Sequence, residues 1–278
     1  MIYLLFAILS SAGVTLVMRL SVNSIKNSIT MLAAGYLSCT ILSILHTAPL
    51  HMSSIAQDSL PTIMLGILGG ILLLAGFVAL QVNTKINGVV LSGVFAKLGV
   101  IIPALVSILV FKEQPKLIQV LGFILTLIAI ILMNSGKKDS KTTSITALLL
   151  LLLSNGLADS MAKFFDEFGN HSLEGFYFIF TFVVAFLLSC ALAIIKKQHV
   201  SAPDIYYGLL LGIPNFYSIR FLTKAVMEIP AFIAFPTYSV STIILISTIG
   251  VIFFKERLTR NQKYGFVLIL FALILLNV

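Results

Sequence analysis

The sequence has no tryptophan, only two cysteines and few charges: Asp, Glu, Lys and Arg make up 10% of its 278 residues. A soluble domain carries about 25% charged residues, so a water-solvated globule is excluded. Cys39 and Cys190 each sit inside an apolar run and imply neither a disulfide framework nor a redox compartment. His46, His51, His171 and His199 stand at gaps or span ends, with no His-Glu-x-x-His segment and no cysteine cluster, so no metal site is indicated. There is no Gly-rich phosphate loop to mark ATP as an energy source, and no nucleophile or acid-base constellation to mark an enzyme. No cofactor is expected.

What fills the chain is apolar: 59% of residues are hydrophobic, among them 21 Phe and eight Tyr, and the mean hydropathy is +1.10. Apolar runs of about 20 residues match the thickness of a bilayer. The net charge of +8 comes from Lys and Arg in short gaps between these runs rather than along one face, which reads as a membrane orientation signal and not as a nucleic-acid surface.

Ten spans are predicted. The first five are Ile2 to Leu20, Ser28 to His46, Pro61 to Val82, Gly88 to Val110 and Leu117 to Asn134. The second five are Thr143 to Phe165, Gly175 to Ile195, Ile205 to Ala225, Ala231 to Phe253 and Tyr264 to Val278. The first run lacks a positive n-region and is followed by Arg19, so it reads as a span rather than a cleaved leader.

Phe111-Lys112-Glu113 recurs as Phe254-Lys255-Glu256, an offset of 143 residues. At the same offset Gln119 matches Gln262 and Gly122-Phe123 matches Gly265-Phe266, part of 12 identities in 24 positions. The matches continue upstream, with Gly13 on Gly156 and Leu68-Gly69 on Leu211-Gly212. The chain therefore reads as a doubled five-helix unit, residues 1–136 and 137–278, forming one compact membrane domain. Five crossings are an odd number, so the second copy enters from the opposite side and the repeats are inverted. Inverted repeats are how many secondary transporters present one central site to two sides. The fold class expected is an all-α polytopic membrane protein, ten transmembrane helices as two inverted five-helix repeats.

The doubled unit, the helices carrying Pro103 and Pro236, the two Phe-Lys-Glu turns and the following Gln119-x-x-Gly122 and Gln262-x-x-Gly265 resemble the drug/metabolite transporter superfamily, specifically its EamA-type ten-helix members. The resemblance covers essentially the whole chain. It implies a solute carrier with a central cavity between its halves and peripheral fifth and tenth spans. Amino acids, sugars, nucleotide sugars, cations and drugs are all moved within that superfamily, so the resemblance names no solute.

Eleven Lys and Arg fall in the odd-numbered gaps and four in or beside the even ones, which puts the odd gaps in the cytoplasm and both termini outside. The expected location is a bacterial plasma membrane, with the protein as a monomer.

Charges deep inside spans are costly and are functional candidates. Lys97 lies about ten residues into its span; Asn155, Asp159 and Lys163 form one stripe at i, i+4 and i+8; Tyr217, Arg220 and Lys224 form another at i, i+3 and i+7. Lys97 and Arg220 are candidates for an anionic group, Asp159 for an amine or a coupled proton or other ion, and Asn155, Tyr217 and Tyr238 for further substrate contacts. The structural alternative is that Asp159 neutralises Lys97, Arg220 or Lys163. Tyr177, and the Gly66/Gly70 and Gly208/Gly212 pairs, read by default as packing. Lys112, Glu113, Lys255 and Glu256 read as interface turns, each Glu near the positive end of the following helix, with gating as the functional alternative. Two cations against one deep carboxylate favour an amino-acid-like zwitterion or an organic anion. The leading expectation is a secondary transporter, exporter or exchanger of a small polar metabolite; the alternatives are a flippase for a lipid-like molecule and a non-transporting assembly subunit.

Overall fold

The computed structural model describes residues 1–47, 59–133, 144–254 and 259–278. Among them every regular element is helical. In order these are α1 (Ile2–Ser21), α2 (Ser28–His46), α3 (Leu60–Asn87), α4 (Val89–Leu98), α5 (Ile101–Leu109), α6 (Leu117–Met133), α7 (Ile145–Phe168), α8 (Glu174–Ile195), α9 (Ala202–Glu228), α10 (Ala231–Phe254) and α11 (Arg260–Leu276), with a single 3-10 turn at His171–Leu173 before α8. Seven helical stretches among the described residues are long and apolar enough to cross a membrane. The molecule is an all-helical integral membrane protein, since only helices with internally satisfied backbones or closed barrels can place a chain in hydrocarbon.

The predicted fourth span is two helices. Pro103 has no N–H to donate to the Gly99 carbonyl four residues back, so the regular ladder fails there. Tighter three-residue bonds take its place: Ile102 N donates to Gly99 O at 2.9 Å and Val100 N to Lys97 O at 3.3 Å. The break between α4 and α5 therefore falls after Leu98, one residue beyond Lys97. Pro214 and Pro236, by contrast, lie inside continuous helices.

The chain forms two compact units, each assembled from both halves of the sequence. One comprises Met1, Ala75–Ser160 and Val226–Val278, the other Ile2–Leu74 and Met161–Ala225. In the first unit, α6 packs on α11 and α5 on α10. A Cβ on Gly122 would meet the Ala272 carbonyl at 3.1 Å and the Leu276 nitrogen at 3.0 Å, so only glycine permits that approach without a shift. In the second unit, α2 packs on α8. There Gly66 and Gly70 bring α3 against the backbone of Tyr177 and Thr181 on α8, while Gly208 and Gly212 bring α9 against Met31 and Gly35 on α2. Small residues four apart allow such contact where lipid supplies no hydrophobic drive for helix association. Phe165, Phe178, Phe182 and Phe216 are fully buried in this unit, and Tyr177 stacks on Phe165 with centroids 4.4 Å apart. Tyr177 is a packing residue.

The repeated polar residues have local roles. Lys112 has φ 54°, in the left-handed region, and Glu113 N then reaches back to Ser107 O at 3.0 Å, closing the end of α5. Gln119 Oε1 accepts from Lys116 N at 3.0 Å and Gln262 Oε1 from Thr259 N at 2.9 Å, so the duplicated glutamine caps the start of α6 and α11 alike. Glu113 serves a helix other than the expected one. Its carboxylate does not stay at α6, but accepts from Ala231 N and Phe232 N, each at 3.0 Å, and caps α10. Lys255 and Glu256 lie outside the described residues.

Candidate functional site

In the first unit, Lys97 is the penultimate residue of α4, beside the helix break, and Asn155 and Asp159 stand one turn apart on α7. The break is seated on α7: a Cβ on Gly99 would lie 3.2 Å from Gly156 N and 3.4 Å from the Asn155 Cβ. Asn155 also presses its carbonyl oxygen onto Gly76 of α3, where a Cβ would collide with it. Lys97 and Asp159 are both exposed, and their charges act on each other. Both stand well inside apolar helical stretches. Lys97 is six residues from the start and twelve from the end of the apolar stretch Leu91–Leu109; Asp159 is nine residues before the end of α7. A charge at such depth facing lipid costs about 2.5–3.5 kcal/mol or more. Tyr238, on α10 of the same unit, is half-buried.

In the second unit, Tyr217, Arg220 and Lys224 share one face of α9 and meet a residue that sequence reasoning missed. Glu174 begins α8, and its Oε1 lies 3.5 Å from Arg220 Nε and its Oε2 3.6 Å from Lys224 Nζ. Arg220 also lies over the Phe216 ring at 5.8 Å and Lys224 over Tyr3 at 5.6 Å. The Tyr217 hydroxyl and His46 Nε2 are 3.1 Å apart, joining α9 to the end of α2. A small cleft of about 10 Å³, room for about one water, lies beside these groups, lined by Ser43, His46, Glu174, Phe178, Phe216 and Arg220. The signal for Glu174 was present in the sequence: an acid opening the seventh span, on the same membrane side as the Arg220 end of the eighth.

Of the three expected counter-charges for Asp159, Lys97 is the one whose charge reaches it, without an ion pair within 4.0 Å between them. Lys163 is instead paired along its own helix with Asp166 at 3.0 Å and Glu167 at 2.7 Å, and Arg220 with Glu174. The predicted site residues thus form two groups, Lys97, Asn155 and Asp159 in one unit and Tyr217 and Arg220 in the other. No group of three or more metal-ligating His, Cys, Asp or Glu side chains converges among the described residues.

A third polar centre, also missed, is Asp204 in the first turn of α9. It is fully buried and accepts from Lys26 N at 2.8 Å, Asn27 N at 3.2 Å, Thr30 Oγ1 at 3.0 Å and Ser201 N at 3.2 Å. Burial alone would raise its pKa, but the hydrogen bonds from Ser201, Lys26, Asn27 and Thr30 outweigh it and hold the carboxyl below the usual carboxylate range. Ser201-x-x-Asp204 has the spacing of a capping box, which was the available signal.

No family model matches the chain. An uncharacterized protein of Haemophilus influenzae is 24% identical over 287 residues, covering 97% of this chain and 95% of its own. A solved crystal structure superposes with a TM-score of 0.77 at 15% identity, over 99% of this chain and 94% of that one. That likeness extends to the fold alone.

Proposed function

We propose that the protein is a secondary transporter of the EamA type: ten transmembrane helices in two inverted five-helix repeats, carrying a small polar metabolite by alternating access. The observation that carries this reading is the exposed pair of opposite charges, Lys97 and Asp159, deep in apolar helices and beside a broken helix. Lipid rejects such groups, so their exposed surface faces water. A helix interrupted in mid-membrane, its ladder replaced by tighter three-residue bonds, is tolerated where it is packed in protein or lines a cavity. Lys97 takes an anionic group of the solute, and Asp159 an amine or a coupled proton. The odd-numbered gaps are cytoplasmic and both termini are outside.

The repeat reading is supported by exchange of partners. α3 of the first repeat packs on α8 of the second, and α9 of the second packs on α2 of the first. These are the third and second helices of each copy with roles swapped, as a pseudo-two-fold axis requires.

The test is flux of a metabolite panel into proteoliposomes, with and without a pH gradient. Uptake of an amino-acid-like or organic-anion solute above protein-free vesicles supports the proposal; no flux of any solute, beside stabilisation by lipid, defeats it.

One feature favours a carrier of lipid-like molecules as the second reading. An almost wholly apolar crevice of about 180 Å³ is lined by Ser247, Thr248, Val251, Ile252 and Phe266 on α10 and α11. An acyl chain suits such a surface, and the lipid arm of the same experiment decides between the two readings.

A further inference from the structure

Arg220 and Lys224 stand one turn apart on α9 and share a single carboxylate, Glu174. The sharing is loose. Charge-assisted hydrogen bonds run to about 2.7–2.9 Å, whereas these separations are 3.5 and 3.6 Å, and Glu174 Oε1 is buried with no hydrogen-bond partner. Two cations against one carboxylate leave this cluster with a surplus positive charge. His46, the other titratable group lining the cleft, is engaged with Tyr217. The second acidic cluster of the unit has its own cation: Lys163 lies 3.0 Å from Asp166 and 2.7 Å from Glu167, and neither carboxylate is paired with Arg220 or Lys224.

We propose that Arg220 and Lys224 form the receiving site for a carboxylate on the solute, and that Glu174 is an internal stand-in for that carboxylate, displaced when the solute arrives. The guanidinium fork donates two parallel hydrogen bonds to a carboxylate, a geometry Glu174 does not reach from its place at the start of α8. The cleft has room for about one water while Glu174 is in place, so the solute enters the space Glu174 vacates, where the rings of Phe216 and Phe178 suit a carboxylate attached to an apolar or aromatic body. Because Glu174 begins α8 and its partners are on α9, displacing it removes an ionic tie between the two helices. Solute binding and loosening of that tie are then a single event. This names the substrate class within the transport reading and rests on it only for the consequence, not for the binding.

The probe is benzoate, with benzamide as its uncharged counterpart, titrated into the purified full chain in detergent at fixed ionic strength. Benzoate is expected to bind and benzamide not. Glu174→Gln removes the competitor and is expected to tighten benzoate about tenfold; Glu174→Asp, which keeps the charge but retreats by one methylene, tightens it less; Arg220→Gln weakens it about tenfold or more. Circular dichroism and size exclusion check that each variant is folded, and the Asp variant carries the test if the Gln variant is not. Benzoate affinity unchanged or weakened in the folded Glu174 variant overturns the proposal, as does equal binding of benzamide or no benzoate binding at all. If benzoate obeys Glu174 but no solute crosses proteoliposomes, the transport reading fails and the site stands; flux that ignores Glu174 and Arg220 gives the reverse.

Discussion

Gly122 and Gly265 meet each other's helices through equivalent partners. A Cβ on Gly122 would stand 3.1 Å from the Ala272 carbonyl, and one on Gly265 would stand 3.2 Å from the Ala129 carbonyl. Ala129 and Ala272 are themselves separated by 143 residues, as are the two glycines. The contact is isologous, with each side making to the other what the other makes to it.

The two sides are unequal in what would have to yield. Beside Gly122 the nearest atoms are the Leu275 Cβ and the backbone of α11, at 3.0 Å, whereas a Cβ on Gly265 would overlap the Met133 Cγ, an atom close to the α6 backbone rather than the tip of the side chain. Gly265→Ala is therefore expected to lower stability by about 1–3 kcal/mol and Gly122→Ala by less. Thermal unfolding in a mild detergent measures the difference, and equal losses would contradict it.

Glu113 caps α10 through two backbone N–H groups. Glu113→Ala is expected to cost about 0.5–2 kcal/mol, as the loss of a capping acceptor does. If the contact is also a gate, the same variant changes the flux rate by more than its stability loss explains, which a paired measurement of melting temperature and flux reveals.

Asp204 gives a pH dependence whose sign follows from its depressed pKa. The stability it contributes is fully present above the unfolded carboxylate value of about 3.9 and is lost as pH falls through its lower folded value. Between about pH 4 and 7 its contribution is flat. Asp204→Asn is expected to be destabilised throughout that plateau and to lose less than the native chain on further acidification. Unfolding monitored against pH in both proteins checks this.

The all-helical membrane character was legible because apolar length depends on many residues at once. The break in the fourth span was half legible: Pro103 announced a lost hydrogen bond, but the place of the break after Leu98 goes with Gly99 lying against Gly156, a contact between distant segments. Asp159 and Lys97 were found because charge inside an apolar run stands out in any reading. Glu174 and Asp204 were not, because a carboxylate at a helix start is ordinary in sequence, and only the neighbouring helices show which cations or amides it holds. Glu113 was assigned to the wrong helix for the same reason, since its partner Ala231 is 118 residues away.

Lys97→Met and Asp159→Asn are each expected to reduce flux about tenfold or more, since each leaves the other charge uncompensated deep in the membrane. Asp159→Asn should also abolish any dependence of flux on a pH gradient. A variant that keeps both the rate and the pH response assigns Asp159 to structure alone.

The most direct test is whether position 97 can be reached by water from both sides. Lys97→Cys, in a chain whose Cys39 and Cys190 have been replaced by serine, is to be treated with a membrane-impermeant thiol reagent applied to either face of oriented vesicles. The account predicts labelling from each side, with solute shifting the balance between them. Labelling by lipid-soluble reagents alone, or by none, would contradict it.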